Sequence, residues 1–131
     1  MIRRGPGGDV RGDKAPKTYT TGDWPHDAVA PPSAPAGVHY SLVLARVLAT
    51  AAERQGLSHR AVSTKAGLNP TAVGRIVRGE LYPDLASLAR LEVALQTDLL
   101  PPHLYRTLPP ATSLDDDPDT PPDDHPDRSG N

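Results

Sequence analysis

The sequence predicts one small all-α domain of four to five helices between two disordered arms, on three observations. Prolines crowd the ends, since residues 1–36 and 108–131 hold 12 of the 16 in the chain. Leucine does the reverse, with only Leu108 and Leu114 outside the middle segment. Within that middle, apolar residues recur at helical spacing between cap residues and glycines, and no stretch alternates like a strand over more than a few residues. The expected organisation is a disordered Pro/Gly-rich arm over 1–37, a folded domain over 38–107, and a disordered acidic Pro/Asp-rich tail over 108–131.

The 131 residues allow about one domain. The net charge of −2 divides into +1 for residues 1–36, +3 for 37–107 and −6 for 108–131. No apolar run approaches the ~18–20 residues that span a membrane. Met1 to Gly7 is charged, but no apolar stretch follows that could serve as a secretory signal. The absence of Cys removes disulfides, thiolate zinc sites and cysteine nucleophiles together. Ser58 and His59 are adjacent, and no carboxylate is placed to orient the imidazole, so no nucleophile–base pair is expected. These points together predict a cytoplasmic, non-enzymatic protein without a cofactor or metal.

The first helix begins near Tyr40. Leu44, Leu48 and Ala51 form its inner stripe with Val47 and Ala52 beside them, Arg46, Thr50, Glu53 and Arg54 face outward, and Gly56 ends it. Ser58 suits the N-cap of a short second helix, roughly His59 to Ala66, that buries Val62 and Ala66. Gly67 stops it in the left-handed region, where glycine has no β-carbon to clash. Asn69-Pro70 is a cap followed by a residue preorganised for the first helical position, so a third helix runs from Pro70 to Arg78 and is closed by Gly79. Asp84 caps a fourth helix with a buried stripe of Leu85, Leu88, Leu91 and Leu95. Asp98 to Leu104 adds a short fifth turn, interrupted by Pro101-Pro102.

At about 100° per residue, Val73, Ile76 and Val77 share one face of the third helix, opposite Thr71, Arg75 and Arg78. The first set belongs in the core. The second stands in solvent beside Gly74, which keeps that face flat. Two short helices on a tight glycine-containing turn, the second presenting basic residues, make a helix-turn-helix. Arg75 is the best base reader, because its planar fork can contact guanine O6 and N7 together. Thr71 can meet a thymine methyl or a phosphate, while Arg78 and Arg60 suit phosphate contacts that fix register.

The run Leu57 to Glu80, with Pro83 and the leucines from Leu85 to Leu95, resembles the λ-repressor-like, Xre-type (Cro/C1) helix-turn-helix domains. The likeness covers about Ser41 to Leu99, and its Ala- and Arg-rich style is similar to actinobacterial regulators. It implies a λ-repressor-like fold and sequence-specific regulation of transcription on double-stranded DNA. Ser58 and His59 fall where such domains clasp a phosphate. Pro70, Thr71, Ala72 and Arg75 fall at base-facing places, and Arg78 and Glu80 where backbone contacts follow. Pro70 and Ala72 have no side-chain donor, so readout falls to Thr71 and Arg75, and the acidic Glu80 opposes phosphate. Many relatives pair an Arg in the first helix with a Glu near the end of the third. The corresponding Ala52 and Val77 are both apolar here, which leaves no unpaired charge.

One domain covers a half-site, so the resemblance implies a homodimer or a partner. Leu95, Leu99, Leu100, Leu104 and Tyr105 are the expected dimer surface, or else they close the core. Two other readings stay open. One is an antitoxin-like interaction module that grips a small protein partner with Trp24 and its extended arms, DNA binding being secondary. The other is a non-specific DNA-associating factor. Arg3, Arg4, Arg11, Lys14 and Lys17 of the first arm are either a solvated tail or a basic arm on phosphates, and Trp24 is either a docking anchor or incidental. The acidic tail, Asp115 to Asp127, is either solvated or competes with phosphate for the basic face. It lacks the glycine and register of a calcium loop.

Overall fold

The computed structural model describes residues 12–110 and contains four helices: α1 (Ala36–Arg54), α2 (His59–Lys65), α3 (Ala72–Val77) and α4 (Leu85–Leu95). Single 3-10 turns lie at Pro16–Tyr19 and Leu104–Thr107. Among the described residues, extended chain pairs only at an isolated antiparallel bridge between Thr21 and Val29. No helix of the described residues is long and apolar enough to cross a membrane.

The core is one apolar cluster. Leu44, Leu48, Ala51 and Ala52 of α1 meet Val62 and Ala66, then Val73, Ile76 and Val77 of α3, then Leu88, Leu91, Leu95 and Leu99. Ala52 and Val77 are both buried within it. The predicted caps operate as chemistry requires. Ser58 Oγ accepts from the Ala61 amide at 3.0 Å, and Asp84 Oδ1 from the Ser87 amide at 2.7 Å.

Three expectations are corrected. Leu85 is 80% exposed, because it directly follows the Asp84 cap and overhangs the end of the helix; the buried arc of α4 is Leu88, Leu91 and Leu95. The stretch 98–103 is not helical. Glu92 Oε2 accepts from the Leu99 and Leu100 amides at 2.8 and 3.4 Å and turns the chain, and Pro101 and Pro102 cannot supply helical N–H donors. Of the five residues offered as a dimer surface, Leu95 and Leu99 are buried in the core, while Leu100 and Tyr105 stay exposed.

A fourth difference is the largest. The arm over 1–37 was expected to be disordered, yet its described part packs as a strap on the helical domain. The Lys17 amide donates to the Gly79 carbonyl at 2.9 Å. Arg46 of α1, expected to face solvent, donates from Nε to the Pro25 carbonyl at 2.8 Å and from Nη2 to the Ala28 carbonyl at 2.6 Å. Pro16, Pro25 and Ala28 are buried. Tyr82 Oη donates to the Lys14 carbonyl at 2.7 Å. With the strap in place α1 starts a turn earlier than expected, and that turn buries Val38. Residues 1–11, with Arg3, Arg4 and Arg11, and residues 111–131, with most of the acidic tail, lie outside the described residues.

Candidate nucleic-acid interface

One buried hydroxyl ties α2 to the start of α3. Ser63, with no exposed surface, donates from Oγ to the His59 carbonyl at 2.9 Å and accepts from the Val73 amide at 2.9 Å. The second bond satisfies an amide at the start of α3 that has no partner within that helix. Sequence reading passed over this residue. The available signal was a serine between Val62 and Ala66 on an otherwise apolar face.

Asn69 Oδ1 accepts from the Thr71 amide at 3.0 Å and from Thr71 Oγ1 at 2.8 Å. The Asn69 side chain thus caps the turn that leads into α3, although regular helix starts only at Ala72. Pro70 and Thr71 lie in this tight turn rather than in the helix proper. The Thr71 hydroxyl proton is committed to Asn69, which leaves the threonine its methyl group and an acceptor oxygen to offer outward.

Along α3, Val73, Ile76 and Val77 are buried while Arg75 and Arg78 are half exposed, at 50% and 57% of their side chains. The structure therefore puts Thr71, Arg75 and Arg78 on the outer face, as the periodicity predicts. Gly74 also serves Arg78. A β-carbon there would lie 3.0 Å from Arg78 Nη1, so the guanidinium lies over the bare backbone. Ser58 and Arg60 are exposed on α2 and its cap, and His59 and Ala72 are partly exposed.

Glu80 organises the cations around it. Arg78 Nε donates to its Oε2 at 2.8 Å, Arg75 Nε lies 3.6 Å from Oε1, and Lys17 Nζ lies 4.0 Å from Oε2. The hydrogen bond from Arg78 is the main cause holding the Glu80 carboxyl below its ordinary range. Partial burial opposes it, and the charges of Arg78, Lys17 and Arg75 assist it. The same bond raises Arg78. Glu80, expected to oppose phosphate, also holds together three cations that would otherwise repel one another.

Gly79 closes α3 with φ +72°. Trp24 lies against it so closely that a β-carbon at Gly79 would fall 2.6 Å from Trp24 Cδ2. Trp24 Nε1 in turn donates to Thr20 Oγ1 at 2.7 Å. Trp24 is thus neither incidental nor a free docking anchor. It clamps the strap to the end of α3.

Residues 48–100 match the model of the family described as helix-turn-helix. The chain is also similar to the crystal structure of the hypothetical transcription factor NHTF from Neisseria, with 24% sequence identity, a TM-score of 0.47, and coverage of 56% of this chain and 87% of that one. No curated protein matches the chain in sequence.

Proposed function

We propose that the protein, whose residues 48–100 match the model of the family described as helix-turn-helix, is a sequence-specific, double-stranded DNA-binding regulator of transcription that inserts α3 into the major groove. The observation that carries this reading is the outer face of α3, where Arg75 and Arg78 stand half exposed directly behind a buried Val73, Ile76 and Val77. A rigid helix with donors of this reach is what base-edge readout needs.

Arg75 is the principal base reader. Thr71 contributes its methyl group, and Pro70 and Ala72 contribute shape and apolar contact at the groove floor. Ser58, His59, Arg60 and Arg78 contact phosphates. The Ser58 oxygen accepts from Ala61, and its own hydroxyl proton is left to donate to a phosphate oxygen. Recognition of a palindrome requires a second copy of the chain, one domain per half-site. The antitoxin-like alternative rests on Trp24 and the extended arms, and of these Trp24 packs against Gly79.

The test is selection from random duplex DNA by the full-length protein, followed by fluorescence anisotropy on the enriched site. Arg75→Ala is expected to cost about 1–3 kcal/mol of discrimination between enriched and scrambled sites, while most non-specific binding is kept. A selection that enriches no site would overturn the sequence-specific reading.

A further inference from the structure

We infer that Lys17, carried by the N-terminal strap, is a phosphate-contacting residue of the same DNA-binding face, so that the interface extends beyond residues 48–100. This rests on the DNA-binding reading above. The backbone of Lys17 is fixed to the end of α3 by its amide bond to the Gly79 carbonyl at 2.9 Å. A relay holds it from the other side, in which Trp24 Nε1 donates to Thr20 Oγ1 at 2.7 Å and that hydroxyl donates to the Lys17 carbonyl at 3.2 Å. With Trp24 pressed on Gly79, the strap is positioned directly against the α3 terminus.

The side chain is left free to act. It is 55% exposed and, among the described residues, its ammonium makes a single long ion pair, 4.0 Å to Glu80, whose carboxylate is shared with Arg75 and Arg78. Three cations around one carboxylate leave a net charge of +2 on this patch. A duplex phosphate supplies the negative charge the patch lacks. Lysine suits that role, because its ammonium is a point charge on a flexible stem that can turn from Glu80 to a phosphate oxygen while its backbone stays pinned. Such a contact fixes register and adds affinity without reading sequence. The strap lies outside residues 48–100, which match the family model.

The experiment compares full-length wild type, Lys17→Ala, Lys17→Arg and Arg75→Ala on the selected site and on a scrambled duplex across a salt series. Lys17→Ala leaves the backbone pin intact. It is expected to weaken both duplexes equally and to lower the slope of log K against log salt by about 0.9, which is about eightfold in affinity at about 0.1 M if the contribution vanishes near 1 M. Lys17→Arg keeps the wild-type slope. An unchanged slope and affinity in Lys17→Ala, with Arg75→Ala impaired, would overturn the role of the strap and leave the DNA-binding reading intact. Failure of the wild type to bind either duplex overturns both.

Discussion

The helical core and the strap across it are ordered by different means. In the core, apolar side chains from all four helices meet in one cluster, and the signals that shape it are local: a cap three residues from the amide it serves, and a left-handed glycine after each of the first three helices, where α4 has Gln96 instead. The strap buries little beyond Pro16, Pro25 and Ala28, and depends on a few directional bonds to distant residues. Apolar burial is spread over many contacts and fails as a unit, whereas a strap held by separate bonds can open alone. The strap is therefore a sub-structure that can leave while the core stays folded.

The largest effect is expected from breaking the core. Leu91 is fully buried at the centre of the cluster. Leu91→Ala should cost about 2–5 kcal/mol through lost transfer energy and the cavity left behind. For a domain of this size that lowers the melting temperature by at least about 10 °C. Circular dichroism and the emission of Trp24, the single tryptophan, should fall together, because the strap has no surface to dock on once the core unfolds. A melting temperature within a few degrees of wild type would show that the core is not the cooperative unit described.

Arg46→Ala breaks the other side of the comparison. It removes two charged-donor bonds to strap carbonyls, at 2.8 and 2.6 Å, and takes nothing from the apolar cluster. Bonds from a charged group contribute about 1.5–3 kcal/mol each, and the released carbonyls regain water once the strap opens. Two such bonds sum to about 3–6 kcal/mol, so opening should become at least about 100-fold more populated, read as faster proteolysis within 12–35, when opening is rapid relative to cleavage. The helical melting temperature should move much less than in Leu91→Ala. Equal losses in both transitions would show that strap and core are one unit.

The same contrast explains what the sequence made legible. The register of α2, α3 and α4 could be read from Ser58, Gly67, Asn69, Gly79 and Asp84, because each acts on backbone groups a few residues away. The outer face of α3 followed from helical periodicity alone. The strap could not be read in this way. Arg46 reaches carbonyls 21 and 18 residues distant, Tyr82 reaches one 68 residues distant, and no periodicity marks carbonyl acceptors. A Pro/Gly-rich composition signals only that the segment is not regular helix or strand, which is true of a strap and of a disordered arm alike. Glu80 was visible as a charge, but its hold on Lys17 depends on that unseen docking.

A finer test separates the strap from the core by pH. The Tyr82 phenol is raised above its ordinary value, first by burial and then by the nearby Asp13 and Tyr19. Its hydroxyl donates to the Lys14 carbonyl, which a phenolate cannot do. Docking therefore favours the protonated form. Below the ordinary phenol value of about 10 both states keep the proton and docking is independent of this group. As pH rises past that value the released strap lets Tyr82 ionise first, so docking weakens from there up to the raised docked value. Tyr82→Phe should cost about 0.5–1.5 kcal/mol of docking at neutral pH, for one lost hydrogen bond. Above about pH 10 it should lose less than wild type, since it has no phenol to ionise. Lysine deprotonation is common to both proteins, so the difference between their Trp24 emission titrations isolates Tyr82. Identical alkaline titrations would mean that Tyr82 does not hold the strap, and that Arg46 and the Gly79 contacts suffice to keep it docked.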